Sequence, residues 1–331
     1  MENIFKNTKN RNIVIWVTVL IVIMIVGVFI KFVIGWNGEF LKFGEKPNLI
    51  SPKSDYIGIL YIEGTIMKNQ TDNFGLPIGY QHQWTLDQIK SMKNDNKNTG
   101  LIIYVDSPGG GVYESDELYL AIENYKKVTG RPVYSYMASM AASGGYYISC
   151  ASDKIIANRN TWTGSIGVTI GTIYDISGLL DRYGIKSVTI TSGKNKAMGD
   201  YTKPMPPEQL AIFHSLVDEA YEQFIGIVAD GRKLDIETVR KIADGRIYTA
   251  KQAKDLKLID RIGTLDDAVN DIRSTYNLQN SKVLDITYVN NSVLGMLFSK
   301  AGNLVPKSEA SDILRIMDKK QGMEASYIFA W

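Results

Sequence analysis

The sequence predicts an α/β domain with a largely parallel sheet, carried behind an apolar N-terminal segment. Two patterns support this. Short runs rich in β-branched and aromatic residues are almost continuously apolar, as in strands covered on both faces. Between them lie segments of helical period, and alternation of this kind means an α/β fold. Of the 331 residues, 45% are hydrophobic and 22% charged, the balance of a folded chain rather than a disordered one.

The expected strands, in order, begin at residues 56–63 (YIGILYIE), closed by Gly64, and 100–106 (GLIIYVD), closed by SPGGG. Residues 133–138, 154–157, 167–174 and 187–191 follow, with a last strand over 283–289. The expected helices start with 114–127, where Leu118, Leu120, Ala121, Ile122 and Tyr125 alternate with charges. A long helix over 207–229 opens on Pro206 and Pro207, which suit a first turn. Shorter ones cover 236–242, 249–256 and 265–276, and another covers 309–320.

Residues 13–30 (IVIWVTVLIVIMIVGVFI) hold no charge. At about 1.5 Å per residue they span roughly 27 Å, close to the hydrocarbon thickness of a bilayer. The run reaches Trp36 if Lys31 snorkels, and Trp36 suits the headgroup level. Lys6, Lys9 and Arg11 precede it against Glu2, which places the N-terminus in the cytoplasm and the remainder outside. A cleaved signal peptide needs a shorter apolar region and a small-residue site, and KFVIGWNGEFLKFGEK offers neither. The expected organisation is a cytoplasmic N-terminus (1–12), a single-pass membrane anchor (13–36), a tether (37–54) with Gly38, Gly44, Pro47 and Pro52, an α/β domain (55–276) and a C-terminal extension (277–331).

Composition excludes several functions. Lys and Arg number 37 against 35 Asp and Glu, so there is no bulk attraction for nucleic acid. Cys150 is the sole cysteine, which rules out an internal disulfide and a thiolate metal cluster. His82 and His214 lie far apart and outside any H-E-x-x-H run, which argues against a zinc hydrolase. A Ser-His-Asp hydrolase would have to recruit one of them.

Chemistry concentrates in three glycine-rich turns and a lysine loop. In Asp106-Ser107-Pro108-Gly109-Gly110-Gly111, consecutive glycines can aim backbone N–H groups at an anion. No lysine follows until Lys126, so this is no P-loop, and an oxyanion hole is the better reading. Met140-Ala141-Ala142-Ser143-Gly144-Gly145 puts a hydroxyl among small residues where a strand hands over to a helix. That position suits a nucleophile, or merely an N-cap. Thr163-Gly164-Ser165-Ile166-Gly167 taken alone is a turn before a strand. Ser192-Gly193-Lys194-Asn195-Lys196-Ala197 carries two lysines, and lysine is the usual substitute for histidine in activating serine. No S-x-x-K pattern occurs, so a Ser-Lys pair would join distant segments.

Taken in order, YIGILYIEGTI, LIIYVDSPGGGV, MAASGGYYIS, TGSIGV, SGKNKAMG and DGRIYTAKQAKDLKLID resemble the signal peptide peptidase A family, also called protease IV, of bacterial membrane-anchored Ser-Lys peptidases. The resemblance runs from about residue 56 to residue 265, in the short, single-repeat form. It implies a Clp-protease/crotonase-like spiral of ββα units. It implies Ser143 as nucleophile and Lys196, three residues after Gly193, as general base. Gly110 and Gly144 would supply oxyanion N–H groups, and Ser165 would hydrogen-bond the lysine amine. Ala197 departs from the acidic or polar residue that often follows the family's lysine. The implied substrates are apolar peptides such as signal-peptide remnants, cut outside the cytoplasmic membrane without metal, nucleotide or organic cofactor. The implied assembly is a homo-oligomeric ring whose neighbouring subunits complete one another's active sites.

A free lysine has a pKa of about 10.4, and one that deprotonates serine near neutrality must lie roughly three units lower. Burial and hydrogen bonds to neutral hydroxyls can achieve this. Two other classes fit parts of the pattern. A crotonase-like acyl-CoA enzyme could use the same glycine turn, but the external location separates it from cytoplasmic CoA. A non-catalytic scaffold would not need the serine, lysine and TGSIG motifs. Finally, residues 327–331 (YIFAW) end the chain on an apolar cluster, expected either to pack on its own domain or to occupy an apolar groove.

Overall fold

The computed structural model describes residues 52–71, 77–288 and 326–328, together with the helical positions Ile21 and Met24. The rest of the expected anchor, the helix over 309–320 and tail residues 329–331 lie outside the described residues. Among the described residues no helix is long and apolar enough to cross a membrane. The chain divides into two compact units, 1–50 and 51–331, and the second holds everything below.

The order begins with β1 (Tyr56–Glu63), the short β2 (Gln70–Thr71) and β3 (Pro77–Ile78), and α1 (His82–Asn94). Next come β4 (Asn98–Ser107), β5 (Gly109–Gly111), α2 (Val112–Thr129), β6 (Val133–Ala142) and α3 (Gly144–Ser149). After β7 (Lys154–Ala157), β8 (Trp162–Gly164) and α4 (Ser177–Arg182) stands the long α5 (Pro207–Arg232). The chain continues through α6 (Ile236–Ile242), β9 (Ile247–Thr249), α7 (Ala250–Asp255), β10 (Arg261–Ile262), α8 (Leu265–Tyr276) and β11 (Lys282–Ile286). Finally β12 (Ser326–Ile328) returns to β5.

The main sheet runs β10-β7-β6-β4-β1-β11, all parallel. Its two faces follow the two-residue period of a strand. Ile57, Ile59, Ile102, Tyr134 and Ile156 form one core with Ala268, Val269 and Ile272 of α8. Residues of the opposite parity, Leu60, Ile62, Leu101, Ile103, Val105 and Met137, are wholly buried on the other side. Helix α1 packs there, because a Cβ on Gly58 would lie 2.6 Å from Met92 Sδ. Helix α3 packs there too, since a Cβ on Gly145 would lie 3.4 Å from Val105 Cγ1. Helices α7 and α8 each start on a capping box, Thr249 with Gln252 and Thr264 with Asp267, which satisfies N–H groups left without partners by the helix itself.

The expected strands at 56–63 and 154–157 and helices at 236–242 and 265–276 are present with those bounds, and the strands at 100–106, 133–138 and 283–289 and the other helices between 112 and 276 are present with shifted ends, residue 289 lying outside the described residues. Two expectations are corrected. Residues 167–174 and 187–191 form no strand; 167–174 is irregular apart from a single β-bridge at Thr169, and 187–191 is irregular throughout. Strand β6 runs to Ala142 rather than 138. Met140, Ala141 and Ala142 pair with β8, a short strand that reads from sequence as part of a turn.

Candidate active site

The site forms beyond the C-terminal ends of β4 and β6, where ligands bind in open α/β sheets. Pairing of these strands follows register from Leu101↔Val133 to Val105↔Met137, then shifts to Ser107↔Ala141. That shift sets the SPGGG turn against the start of α3. Ser107 Oγ holds the turn, donating to Gly64 O at 2.6 Å and accepting from Gly109 N at 3.1 Å. Gly110 admits no side chain, since a Cβ there would lie 1.6 Å from Ile66 O. Gly144 is equally confined: its Cβ would lie 2.4 Å from Ser115 Oγ and 3.1 Å from Gly110 N. The structure therefore brings Gly109, Gly110, Ser143 and Gly144 together.

Ser143 has φ 53° and ψ −117°, a conformation costly for any residue with a Cβ and characteristic of functional sites. Its N–H donates to Gly164 O and its C=O accepts from Tyr147 N, both at 2.8 Å. It stands at the N-cap of α3 but makes no side-chain capping bond. Its hydroxyl bonds to no described residue, so the N-cap alternative raised by the sequence does not account for it. Ser165 stands beside it, because β6 and β8 pair Ala142 with Gly164, the residues just before each serine. Ser165 also has positive φ, 51°, and its N–H donates to Arg246 O at 2.7 Å. It lines a cavity of about 570 Å³ with Thr169, Asp218, Tyr221 and Asp244.

The lysines are placed differently. Lys194 pairs with Glu208 at 2.8 Å on the surface. Lys196 is exposed, and among the described residues its ammonium has neither hydrogen bond nor ion pair. Among the described residues no hydrogen bond joins it to Ser143. The histidines do not substitute. His82 lies between Tyr80 OH (2.8 Å) and Glu117 (2.9 Å), and His214 is exposed beside an apolar cavity. Burial pushes the Cys150 thiol up to about 12, so it is no nucleophile. Among the described residues no group of His, Cys, Asp and Glu could hold a metal ion.

The glycine strand carries a guest. Strand β12 pairs antiparallel with β5, matching Tyr327 to Gly110. Gly109 O and Gly111 N are turned to Ile66 by bonds of 2.8 Å each, so strand alternation directs the N–H and C=O of Gly110 toward β12. A Cβ on Gly109 would lie 2.0 Å from Tyr327 O and 2.5 Å from Gly144 N, which puts the Tyr327 carbonyl close to the turn. The Tyr327 ring is wholly buried, stacked on Tyr147 at 4.9 Å and tilted against Phe224 at 4.7 Å. Its hydroxyl donates to Ala220 O at 2.8 Å. Burial raises the phenol pKa well above its ordinary value, so it stays a neutral donor. Tyr147 is fixed in turn through its hydroxyl by Asp116 (2.6 Å) and Gln223 (2.7 Å).

Sequence reading missed this pocket. Tyr147 was visible in the MAASGGYY turn, but Asp116, Gln223 and Phe224 carry no local signal.

Chemically, the arrangement offers a serine hydroxyl bonded to no described residue, close to a glycine strand that pairs with an extended segment. Residues 125–279 match peptidase family S49. The chain is 37% identical over 246 residues, 74% of its own length and 70% of the relative's, to an Enterococcus faecium protein carrying the name signal peptide peptidase SppA. It is 29% identical to a protein of Methanocaldococcus jannaschii named as a protease, over 95% of this chain and 98% of that one. It is 33% identical to Protease 4 of Salmonella typhi, over 64% of this chain and 33% of the longer protein.

Proposed function

The chain belongs to the signal peptide peptidase A family, within peptidase family S49, and on that premise we propose that it is a membrane-anchored serine endopeptidase with a Ser143–Lys196 dyad. The observation that carries this reading is Ser143 itself: a serine of strained backbone, its hydroxyl bonded to no described residue, close to a glycine strand already paired with a peptide segment.

Ser143 Oγ attacks the substrate carbonyl as its proton passes to the neutral amine of Lys196. The N–H groups of Gly110 and Gly144 hold the resulting oxyanion. Lys196 then protonates the leaving amine, and water releases the acyl group from Ser143. Ser165 hydrogen-bonds the amine and aims it. Because Lys196 is solvent-exposed and makes no hydrogen bond to Ser143 among the described residues, the lysine that serves each serine comes from a neighbouring subunit of a homo-oligomeric ring. The exposed apolar side chains of Tyr183, Ile185, Val188 and Ile190, close in sequence to the lysine loop, support a subunit contact there.

Substrates are apolar peptides, including signal-peptide remnants, met near the outer face of the cytoplasmic membrane to which residues 13–36 tether the enzyme. The aromatic pocket of Tyr147 and Phe224 supports this class. Residues 326–328 occupy the groove as a product-like strand of the protein's own tail. Removing residues 327–331 raises turnover of small peptides and labelling of Ser143 by a covalent serine probe. Unchanged rate and labelling with lowered thermal stability would make the tail ordinary packing.

Mixing two inactive proteins tests the dyad. Ser143→Ala and Lys196→Ala, each inactive alone, regain turnover after co-assembly if serine and lysine come from different subunits. Activity in either variant alone contradicts the assigned dyad, and failure of the mixture to recover contradicts sharing.

A further inference from the structure

Ser115 lies in the first turns of α2, just beyond the glycine strand, and is wholly buried. Its Oγ has no hydrogen-bond partner among the described residues. A buried, unpaired hydroxyl destabilises a fold relative to an alanine of nearly the same shape. A serine inside a helix ordinarily relieves this by bonding the carbonyl four residues back, here that of Gly111. Ser115 does not. Its Oγ stands 2.4 Å from the point a Cβ on Gly144 would occupy, and the same point is 3.1 Å from Gly110 N and 3.2 Å from Gly109 Cα. The hydroxyl thus closes the small space between the segments that carry the two N–H groups.

We propose that Ser115 is a positioning residue of the peptidase site, a one-atom spacer that fixes Gly144 against Gly110 and so sets the separation of the two oxyanion donors. The proposal rests on the assignment of those donors above. An alanine is one atom short and lets Gly144 settle toward α2. A larger side chain pushes the segments apart. The binding groove for the peptide main chain lies along β5 and is untouched. The loss therefore falls on the transition state, whose oxygen must meet both N–H groups at once, and spares substrate binding.

The test compares full-length wild type, Ser115→Ala and Ser143→Ala on a fluorogenic peptide with tyrosine before the reporter. Ser115→Ala should lower kcat about tenfold, less than deleting a donor outright, with KM unchanged. Its melting temperature should equal or exceed that of wild type, since the orphan hydroxyl is gone. A peptide boronate, whose tetrahedral adduct puts an oxygen between the two N–H groups, should lose the same factor in affinity. Binding of the parent peptide should be equal in Ser143→Ala and in the Ser115→Ala/Ser143→Ala double variant. Wild-type kcat in Ser115→Ala beside an inactive Ser143→Ala overturns the positioning role alone. So does a loss of kcat that merely tracks a lowered melting temperature or a raised KM. Turnover surviving in Ser143→Ala overturns the site assignment and this proposal with it.

Discussion

The serine half and the lysine half of the proposed site are built on opposite principles. Around Ser143 every neighbour is fixed: the register shift between β4 and β6 sets Ser107 beside Ala141, Gly110 touches Ile66, and Gly144 touches Ser115. Around Lys196 little is fixed by the chain itself. Helix α4 buries no residue, Val188 is 84% exposed and Ile190 93%. A nucleophile and its oxyanion donors must be rigid relative to each other, because the groups that stabilise developing charge work only if preorganised. A base carried on a segment that completes its packing against another copy needs no such internal frame. The SVTIT run fits this: it has strand composition but pairs with no strand among the described residues.

The largest effect separates the two lysines. Lys196→Ala should cut turnover by a factor on the order of 10³ or more, as for loss of a general base in a nucleophile–base pair, while Lys194→Ala stays within about twofold. An inactive Lys194→Ala beside an active Lys196→Ala would move the base by one turn of the loop and break the comparison as drawn.

Glycine substitutions contrast the halves next. Gly110→Ala forces a methyl onto Ile66 O and should cost about 3 kcal/mol of stability and more than about a hundredfold in rate. Gly193→Ala meets nothing within 4 Å and should stay within about 0.5 kcal/mol by chemical denaturation. Equal destabilisation by both would show that the lysine loop is as tightly framed as the glycine turn.

Val188→Asp and Ile190→Asp should likewise leave the melting temperature of a single chain within a few degrees, because both side chains are solvated there. They should nevertheless lower the assembled mass in light scattering and reduce turnover about tenfold or more, since charge on an apolar contact opposes association. Unchanged mass and turnover would remove these residues from any subunit contact. Ser165→Ala should be milder, reducing kcat by roughly tenfold through a less well aimed amine. An unaltered rate and pH profile would leave Ser165 as a turn residue.

The smallest effect lies away from the site. Burial alone would raise the Asp271 carboxyl, but Lys154 Nζ at 2.8 Å and the Tyr134 hydroxyl at 2.8 Å hold it below the usual carboxylate range. A depressed folded pKa stabilises above the unfolded value and is lost as pH falls through the folded one. Asp271→Asn should therefore cost no more than about 1 kcal/mol at neutral pH, and the difference should vanish in unfolding curves taken well below about pH 4.

Much of this was legible from local chemistry. Apolar runs of strand length marked β1, β4, β6 and β7, because a strand buried on both faces must be apolar along its length. The glycines at 109–111 and 144–145 marked the turn, because only a residue without a Cβ allows such close approach of two backbones. Tertiary structure decided the rest. Short β8 became a strand only because β6 and β9 flank it. Residues 187–191 did not, and among the described residues no strand pairs with them. Tyr327 found its place between Tyr147 and Phe224 from 180 and 103 residues away in sequence, distances over which no periodicity can signal contact. The strained backbone of Ser143 was not legible from its neighbours and appears only in the fold. The partners of a side chain such as Ser115 or Lys196 depend on which distant surfaces meet, and local sequence does not encode that.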